Sequence, residues 1–577
     1  MEIPRPIASG KILCSMPSTK KTNQPIQGPV TRGDTEQSMG DENVGTIFAG
    51  HNKRLQILEL LCLLTVFFVA AGDPAPMVNE SHYLVKAKNF WNPNWCANDA
   101  FVSSGKAHIT FYITFGWLTK FFSLETTAWI GRLLGWSVIA LGLSNLCRNL
   151  FNRPFFSVPV AIIWIAATQH GNLAGEWVIG GIEGKVPAYG FVLLGLAEMV
   201  RRNWARTWIL LGIASAFHVL TGGWSVIAAL ITWRFTERSR NDAVRLFDWP
   251  ILLGGIIALA GLIPAIALQA NSPSADALKA SRIYTYYRLA HHLLPANFQF
   301  SWYLRHGTLV ALTLLTAYRF RHEKSLAPLT LYSLAAFGLA IIGFAIGYVP
   351  LWDPDLAAKL LRYYWFRLSD AMIPLLFAVL TVKLYIESRQ QLIRHATTSY
   401  YSLAVVIASA FLLISDGLNK STLSIPPAAS HRVLGFQQDA SISEQQHAFT
   451  DWLKVCQWVK HSSDEQEVFL TPRHQQTFKW YAERAEVTNW KDVPQDARSL
   501  LTWYETFQEI FPQRLGHVRV TIQYPKLREI RRRFDVRWMI VDRRIVGENL
   551  PLVRIYPINS ESNPTYAVYE LPNASKP

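Results

Sequence analysis

The chain has 577 residues, of which 50% are hydrophobic, 13% aromatic and only 17% charged, with a mean hydropathy of +0.13. That value is low for a bare membrane bundle and high for a water-soluble enzyme, so it points to a membrane domain joined to a soluble one. The net charge of +15 would ordinarily raise a nucleic-acid partner, but much of the Lys and Arg lies in short links between apolar runs, so the charge is read as topological and no nucleic acid is expected.

Residues Met1 to about His51 are rich in Pro, Ser, Thr, Gln and Gly and show no periodicity, the composition of a disordered tail. Cys14 lacks the apolar core of a lipoprotein signal. The first apolar run, Leu55–Ala71, follows Lys53 and Arg54 and reads as a signal-anchor that leaves the N-terminus cytoplasmic.

Walking the positive charges orients the rest. Gly72–Glu125 falls outside, and Thr127–Leu146 returns to Arg148 and Arg153. Phe155–Thr168 goes out to the loop Gln169–Gly190, and Ala188–Val200 comes back to Arg201, Arg202 and Arg206. Thr207–Trp233 links two basic segments but is too short for two full crossings, which need about 40 apolar residues. It reads as a short helical hairpin divided at Gly222–Gly223, with His218 bonded to a neighbouring helix. Pro250–Leu268, Leu309–Tyr318, Leu329–Val349, Leu368–Leu384 and Tyr400–Ile414 complete about eleven crossings. The fold class expected is therefore an α-helical polytopic membrane protein.

Beyond Ile425–Pro427 the hydropathy falls, and the tail to Pro577 is large enough for one domain, placed outside by the topology. Ala448–Lys460, Gln475–Glu483, Ala497–Phe511 and Leu527–Phe534 read as helices. Glu467–Thr471, Trp538–Val541, Val553–Tyr556 and Tyr566–Leu571 read as strands, giving a soluble α/β domain over 421–577 after a membrane domain over 51–420. The tail has no GxGxxG, GxxxxGK[ST] or GxSxG. Cys14, Cys62, Cys96, Cys147 and Cys456 form no CxxC pair and no metal-ligand spacing, so no disulfide framework or zinc site is expected.

Chemistry is expected on the outer face. The first external loop carries Asp99, with Trp91 and Trp95 nearby, and the second carries Glu176, Glu183 and Lys185 among Gly180, Gly181 and Gly184. Charges this close to a bilayer are costly unless they face water, a partner or a ligand. Asp99 with the glutamates would make a carboxylate cluster, able to hold a divalent cation through oxygen or to deprotonate an acceptor hydroxyl. Arg362 and Arg367 suit a phosphate. Plainer readings stand beside these. Arg367 and Asp370 have the i,i+3 spacing of a helical ion pair. Asp353 and Asp355 flank Pro354 as a turn would, and His291–His292 point apart on a helix, which is poor for joint metal ligation.

The long first external loop with its acidic residue, the acidic second loop, the short hairpin at FHVLTGGW and the soluble C-terminal tail resemble the GT-C superfamily of integral-membrane glycosyltransferases. The tail stretch FLTPRHQQTFKWYAERAEVTNWKDVPQDA (Phe469–Ala497) also resembles an uncharacterised bacterial multi-span membrane protein family. The GT-C resemblance implies a bacterial plasma-membrane enzyme that moves a sugar from a polyprenyl-phosphate donor to an extracytoplasmic acceptor. It implies Asp99 as base or metal ligand and Glu183 or Glu176 as second carboxylate, and the reading built on it takes Asp99 as base and Lys185, Arg362 or Arg367 as phosphate ligands, with His291 and Trp95 along the substrate path. A lone Asp99 departs from the paired acidic residues common in that loop. The rivals are a transporter or flippase of a lipid-linked or anionic solute, which internal repeats would favour, and a non-enzymatic scaffold.

Overall fold

The computed structural model describes residues 38–573 apart from 239, 241, 243, 247, 271, 391–395, 429–439, 512–522 and 548–549, with side chains from residue 53. The tail up to residue 37 and Cys14 lie outside the described residues. Among the described residues six helices are long and apolar enough to cross a membrane: Lys53–Ala71, Leu124–Phe151, Trp249–Ala270, Ala327–Leu351, Arg367–Arg389 and Thr398–Leu423. The other expected crossings are helical too, but at 15, 16, 14, 19 and 20 residues they fall short in length or apolarity (Ser157–Gly171, Lys185–Val200, Trp204–Phe217, Val219–Glu237 and Phe300–Arg319). The architecture is a helical membrane bundle followed by a C-terminal α/β region.

Burial ranks the spans. In Arg367–Arg389, 83% of the apolar window is buried, so this helix is the bundle's centre, packed by Ser157–Gly171, Ala327–Ile346 and Phe300–Arg319. In Trp249–Ala270 only 11% is buried, and Leu252, Ile256 and Ile263 face outward, as on a helix that meets lipid. The hairpin in 204–237 breaks at His218 rather than at the glycines. His218 takes an extended backbone (φ −149°, ψ 101°), and its Nδ1 accepts the Thr221 N–H at 3.1 Å, capping the second helix. Gly222 instead lets the two arms touch, because a Cβ there would stand 2.2 Å from the Ser215 backbone nitrogen.

The C-terminal sheet is mixed, in the order β2-β1-β3-β5-β4, with β1 Val468–Leu470, β2 Ala485–Glu486, β3 Trp538–Asp542, β4 Val553–Tyr556 and β5 Tyr566–Glu570. β1 lies parallel to β2 and β3, whereas β5 runs antiparallel to β3 and β4. The helix Ile442–Ser462 buries Trp452, Val455, Cys456 and Val459 against this sheet. All four expected strands are present. The short β2 is additional, and it carries Glu486 to Asp99 in the first loop.

Two buried carboxylates, Glu80 and Asp370, fix the first and second loops to the bundle. Glu80 and Arg132 pair bidentately at 2.7 and 2.5 Å, and Glu80 also accepts the Met77 and Ile182 N–H groups at 2.8 and 2.7 Å. That one carboxylate therefore ties the first loop to the second. Gly181 sits against it, where a Cβ would come within 2.7 Å of the Glu80 carboxyl carbon. Arg367 and Asp370 do not pair with each other. Asp370 instead accepts the Leu173 and Ala174 N–H groups at 2.9 and 2.8 Å and so anchors the start of the second loop. Asp353 does shape a turn, capping Pro354–Leu361 through the Asp355 and Leu356 N–H groups.

Candidate functional site

The second loop delivers its charges as a compact set. Lys185 opens the helix Lys185–Val200, with its Nζ 3.0 Å from Glu176 Oε1, 3.2 Å from Glu183 Oε1 and 3.7 Å from the centre of the Trp177 ring. Arg367 Nε stands 2.9 Å from Glu176 Oε2, at an angle that makes an ion pair without a hydrogen bond. Tyr189 donates to Glu176 Oε1 at 3.4 Å. All these groups are nearly or fully buried, so each carboxylate needs its cation.

This set borders a cavity of about 710 Å³. Its lining carries five cations, Lys185, Arg288, Arg362, Arg367 and Lys491, against one carboxylate, Glu183. Lys185 and Arg367 are already compensated by the glutamates. Arg362 donates only to Ser281 Oγ at 3.1 Å, and Arg288 donates to the Trp490 carbonyl at 3.0 Å while stacking on that ring. Among the described residues no carboxylate lies within ion-pair distance of Arg288, Arg362 or Lys491. Burial pushes the Lys491 ammonium down to about 8, with the neighbouring Arg288 adding to the effect. Three cations without an ion-pair partner thus face one space, a lining that suits an anion.

The cavity's other wall is apolar. Gly261, Leu262, Ala265, Ile266 and Leu268 come from Trp249–Ala270, the helix whose opposite side is exposed. His82, His108 and His218 also face the cavity, with Tyr83, Tyr284, Tyr363 and Tyr364. Burial first, then His82 and Lys86, push His108 down to about 3, so its ring is neutral, and its Nε2 accepts from the Gln495 amide at 2.9 Å beside the Tyr83 hydroxyl at 3.2 Å.

The C-terminal region closes the cavity with a stretch that alternates as extended chain does. Lys491, Val493 and Gln495 face the large cavity, whereas Asp492 and Pro494 face a smaller one of about 150 Å³. Behind this wall Lys479 Nζ is held by three buried carboxylates, Asp492 and Glu486 at 2.6 Å each and Asp99 at 3.1 Å. Burial raises Glu486 to about 7. Burial also pushes Asp492 up, but the Lys479 ammonium and His82 outweigh it and hold that carboxyl well below its usual range.

Asp99 therefore belongs to this clamp and not to the large cavity. Its Oδ1 accepts the Phe101 and Val102 N–H groups at 3.0 and 2.9 Å, and its Oδ2 accepts the Glu486 N–H at 3.1 Å beside Lys479. The cluster expected from Asp99, Glu176 and Glu183 is not assembled: the glutamates gather on Lys185, and Asp99 gathers with C-terminal carboxylates on Lys479. Among the described residues no group of three or more His, Cys, Asp or Glu is placed to hold a metal ion. Glu183, Lys185, Arg362 and Arg367 line the cavity as a set. Glu176 stands behind them. His291 stacks on His292, whose Nδ1 meets the Ala174 carbonyl at 2.6 Å, and neither ring lines the cavity. Trp95 packs under Lys88, also outside it.

No local pattern in the sequence marks Lys479, Glu486, Lys491 or Asp492, although all lie in the stretch Phe469–Ala497. A domain family of unknown function, DUF6798, matches residues 450–510, which include all four. No curated protein matches the chain. Solved structures similar to it include the oligosaccharyltransferase of Archaeoglobus fulgidus, at 12% identity and TM-score 0.43 over 85% of this chain and 68% of that one. ArnT from Cupriavidus metallidurans is similar at 13% identity and TM-score 0.43, over 89% of this chain and 97% of that one. At that level of likeness they carry no argument about activity.

Proposed function

We propose that the chain is a membrane glycosyltransferase that moves a sugar from a polyprenyl-phosphate-linked donor to an extracytoplasmic acceptor. The observation that carries this reading is the cavity's two-sided lining: uncompensated Arg288, Arg362 and Lys491 on one side, and the apolar, outward-facing helix Trp249–Ala270 on the other. A polyprenyl phosphate is an anion on a hydrocarbon tail and needs both walls at once. The cations hold the phosphate and draw off the negative charge that grows on it as the sugar–phosphate bond breaks. Lys185 and Arg367, kept rigid by Glu176 and Glu183, set the inner limit of that site. The sequence-level resemblance to GT-C enzymes supports the same chemistry. In this reading the N-terminus is cytoplasmic, the C-terminal region is outside, and the membrane is a bacterial plasma membrane.

The test uses membranes carrying the full-length protein and a panel of polyprenyl-phosphate-linked radiolabelled hexose, pentose and amino sugar. Protein-dependent incorporation into a polymer or lipid, slowed at low donor concentration in Arg362→Ala, is the expected result. Donor left unconsumed across the panel, or equal turnover by wild type and Arg362→Ala, would sink the proposal.

A further inference from the structure

His82 is the one cavity histidine whose ring is aligned by a carboxylate. It lies in the first turn of the helix Glu80–Trp91, with its ring tilted against Phe101 at 4.3 Å between centroids. Its Nδ1 is 3.4 Å from Asp492 Oδ1. Asp492 is itself fixed from behind: Lys479 Nζ is 2.6 Å from Oδ2, Asn489 Nδ2 donates to Oδ2 at 2.9 Å, and the Asp492 N–H returns a bond to Asn489 Oδ1 at 2.9 Å. An ionised carboxylate on Nδ1 places the imidazole proton there and leaves the Nε2 lone pair free. No hydrogen bond to His82 Nε2 is present among the described residues. The other histidines are committed. His108 Nε2 is shared by Tyr83 at 3.2 Å and Gln495 at 2.9 Å, while His218 Nδ1 accepts the Thr221 N–H and its Nε2 meets Arg367 at 3.1 Å. Glu183 is neutralised by Lys185 and makes a poor base.

We infer that His82 is the general base of the transfer and Asp492 the residue that positions it, an assignment that rests on the glycosyltransferase reading. His82 Nε2 takes the acceptor's hydroxyl proton. The freed oxygen pair forms the bond to the anomeric carbon, the carbon–oxygen bond to the lipid phosphate breaks, and its electron pair leaves on the phosphate, facing Arg288, Arg362 and Lys491. The imidazolium formed is stabilised by Asp492 and later gives its proton to water. The assignment explains why a C-terminal segment lies against the first external loop: Asp492 is brought to His82 from 410 residues away. Burial lowers His82 below its ordinary value against the opposing pull of Asp492, with Lys86, Lys491 and His108 as the other charged or titratable groups facing it. The active, neutral ring is thus present at neutral pH.

The experiment measures transfer from the same radiolabelled donor panel, and donor retention by native mass spectrometry, for wild type, His82→Ala and Asp492→Asn. Loss of a general base lowers kcat by about 10²–10⁴-fold. His82→Ala is expected to lose turnover on that scale, to keep bound donor, and to recover part of its rate with added imidazole. The acidic limb of the wild-type kcat/KM profile, with its midpoint below 6.5, is expected to vanish in His82→Ala and to move in Asp492→Asn. Transfer by His82→Ala at the wild-type rate, or a loss that imidazole does not relieve, overturns the inference and leaves the function standing. A wild-type protein that neither retains nor consumes any donor overturns both.

Discussion

Replacing Lys479 with Met removes the ammonium shared by Asp99, Glu486 and Asp492, contacts of 3.1, 2.6 and 2.6 Å in a site that is 1–3% exposed. Methionine matches the chain length but leaves three buried carboxylates with hydrogen bonds and no cation. Breaking a buried pair in this way costs about 3–5 kcal/mol, and each 1.4 kcal/mol is tenfold in an equilibrium, so the wall at 488–496 should open about 10²–10⁴ times more often. Hydrogen exchange of the amides in 488–496 in the full-length protein reads that directly, since opening precedes exchange. The sign with pH is also set. Without the ammonium the carboxylates fold best with protons bound, so their folded pKa values exceed the unfolded ones. Protection in Lys479→Met is then greatest in acid and falls as pH rises through the folded values. Adding Asp99→Asn and Glu486→Gln to Lys479→Met should recover part of the loss. Unchanged exchange in Lys479→Met would refute the claim that this clamp holds the wall.

Four further outcomes follow from the same geometry. In the wild type, Glu486 titrates near 7 when folded against about 4.5 when free, so the stability it contributes is complete below about 4.5 and is lost as pH rises to about 7. Glu486→Gln should flatten that slope in a thermal-unfolding series. Arg288→Ala, Arg362→Ala and Lys491→Ala each remove one charge-assisted phosphate contact of about 1.5–3 kcal/mol, a rise of about 10–100-fold in the donor KM with little change in folding. Arg132→Met strands Glu80, which ties both loops, and should cost about 3–5 kcal/mol in unfolding of the purified protein; Arg132→Met with Glu80→Gln should cost less. Gly222→Ala places a methyl into the Ser215 backbone and should lower the melting temperature, whereas Gly223→Ala, with nothing within 4 Å, should not.

The legible parts of the molecule are those written in local pattern. Apolar runs and their basic links mark the helices, and short runs rich in Val, Ile and Tyr mark Val553–Tyr556 and Tyr566–Glu570. Glu183 and Lys185, two residues apart in a loop between apolar runs, are legible as costly charges and do share an ion pair. Asp99 misleads because its surroundings in sequence hold no partner. Its ammonium, Lys479, and its extra N–H donor, Glu486, lie some 380 residues on in another region of the fold. The same distance hides His82, an ordinary residue until Asp492 stands beside it. Arg367 and Asp370 show the converse error. Spacing puts them on one helix as a pair, but tertiary partners with better geometry, Glu176 and the Leu173 and Ala174 amides, take both.

The central claim is that the large cavity holds a lipid phosphate through cations that no protein carboxylate compensates. Native mass spectrometry of the full-length protein released from its own membranes tests this whatever the sugar. The account expects a bound polyprenyl phosphate or its glycoside on the wild type, and its loss from the Arg288→Ala, Arg362→Ala, Lys491→Ala triple variant. A wild-type protein that never carries such a lipid when its membranes are supplied with it, or a triple variant that carries as much, would contradict the account.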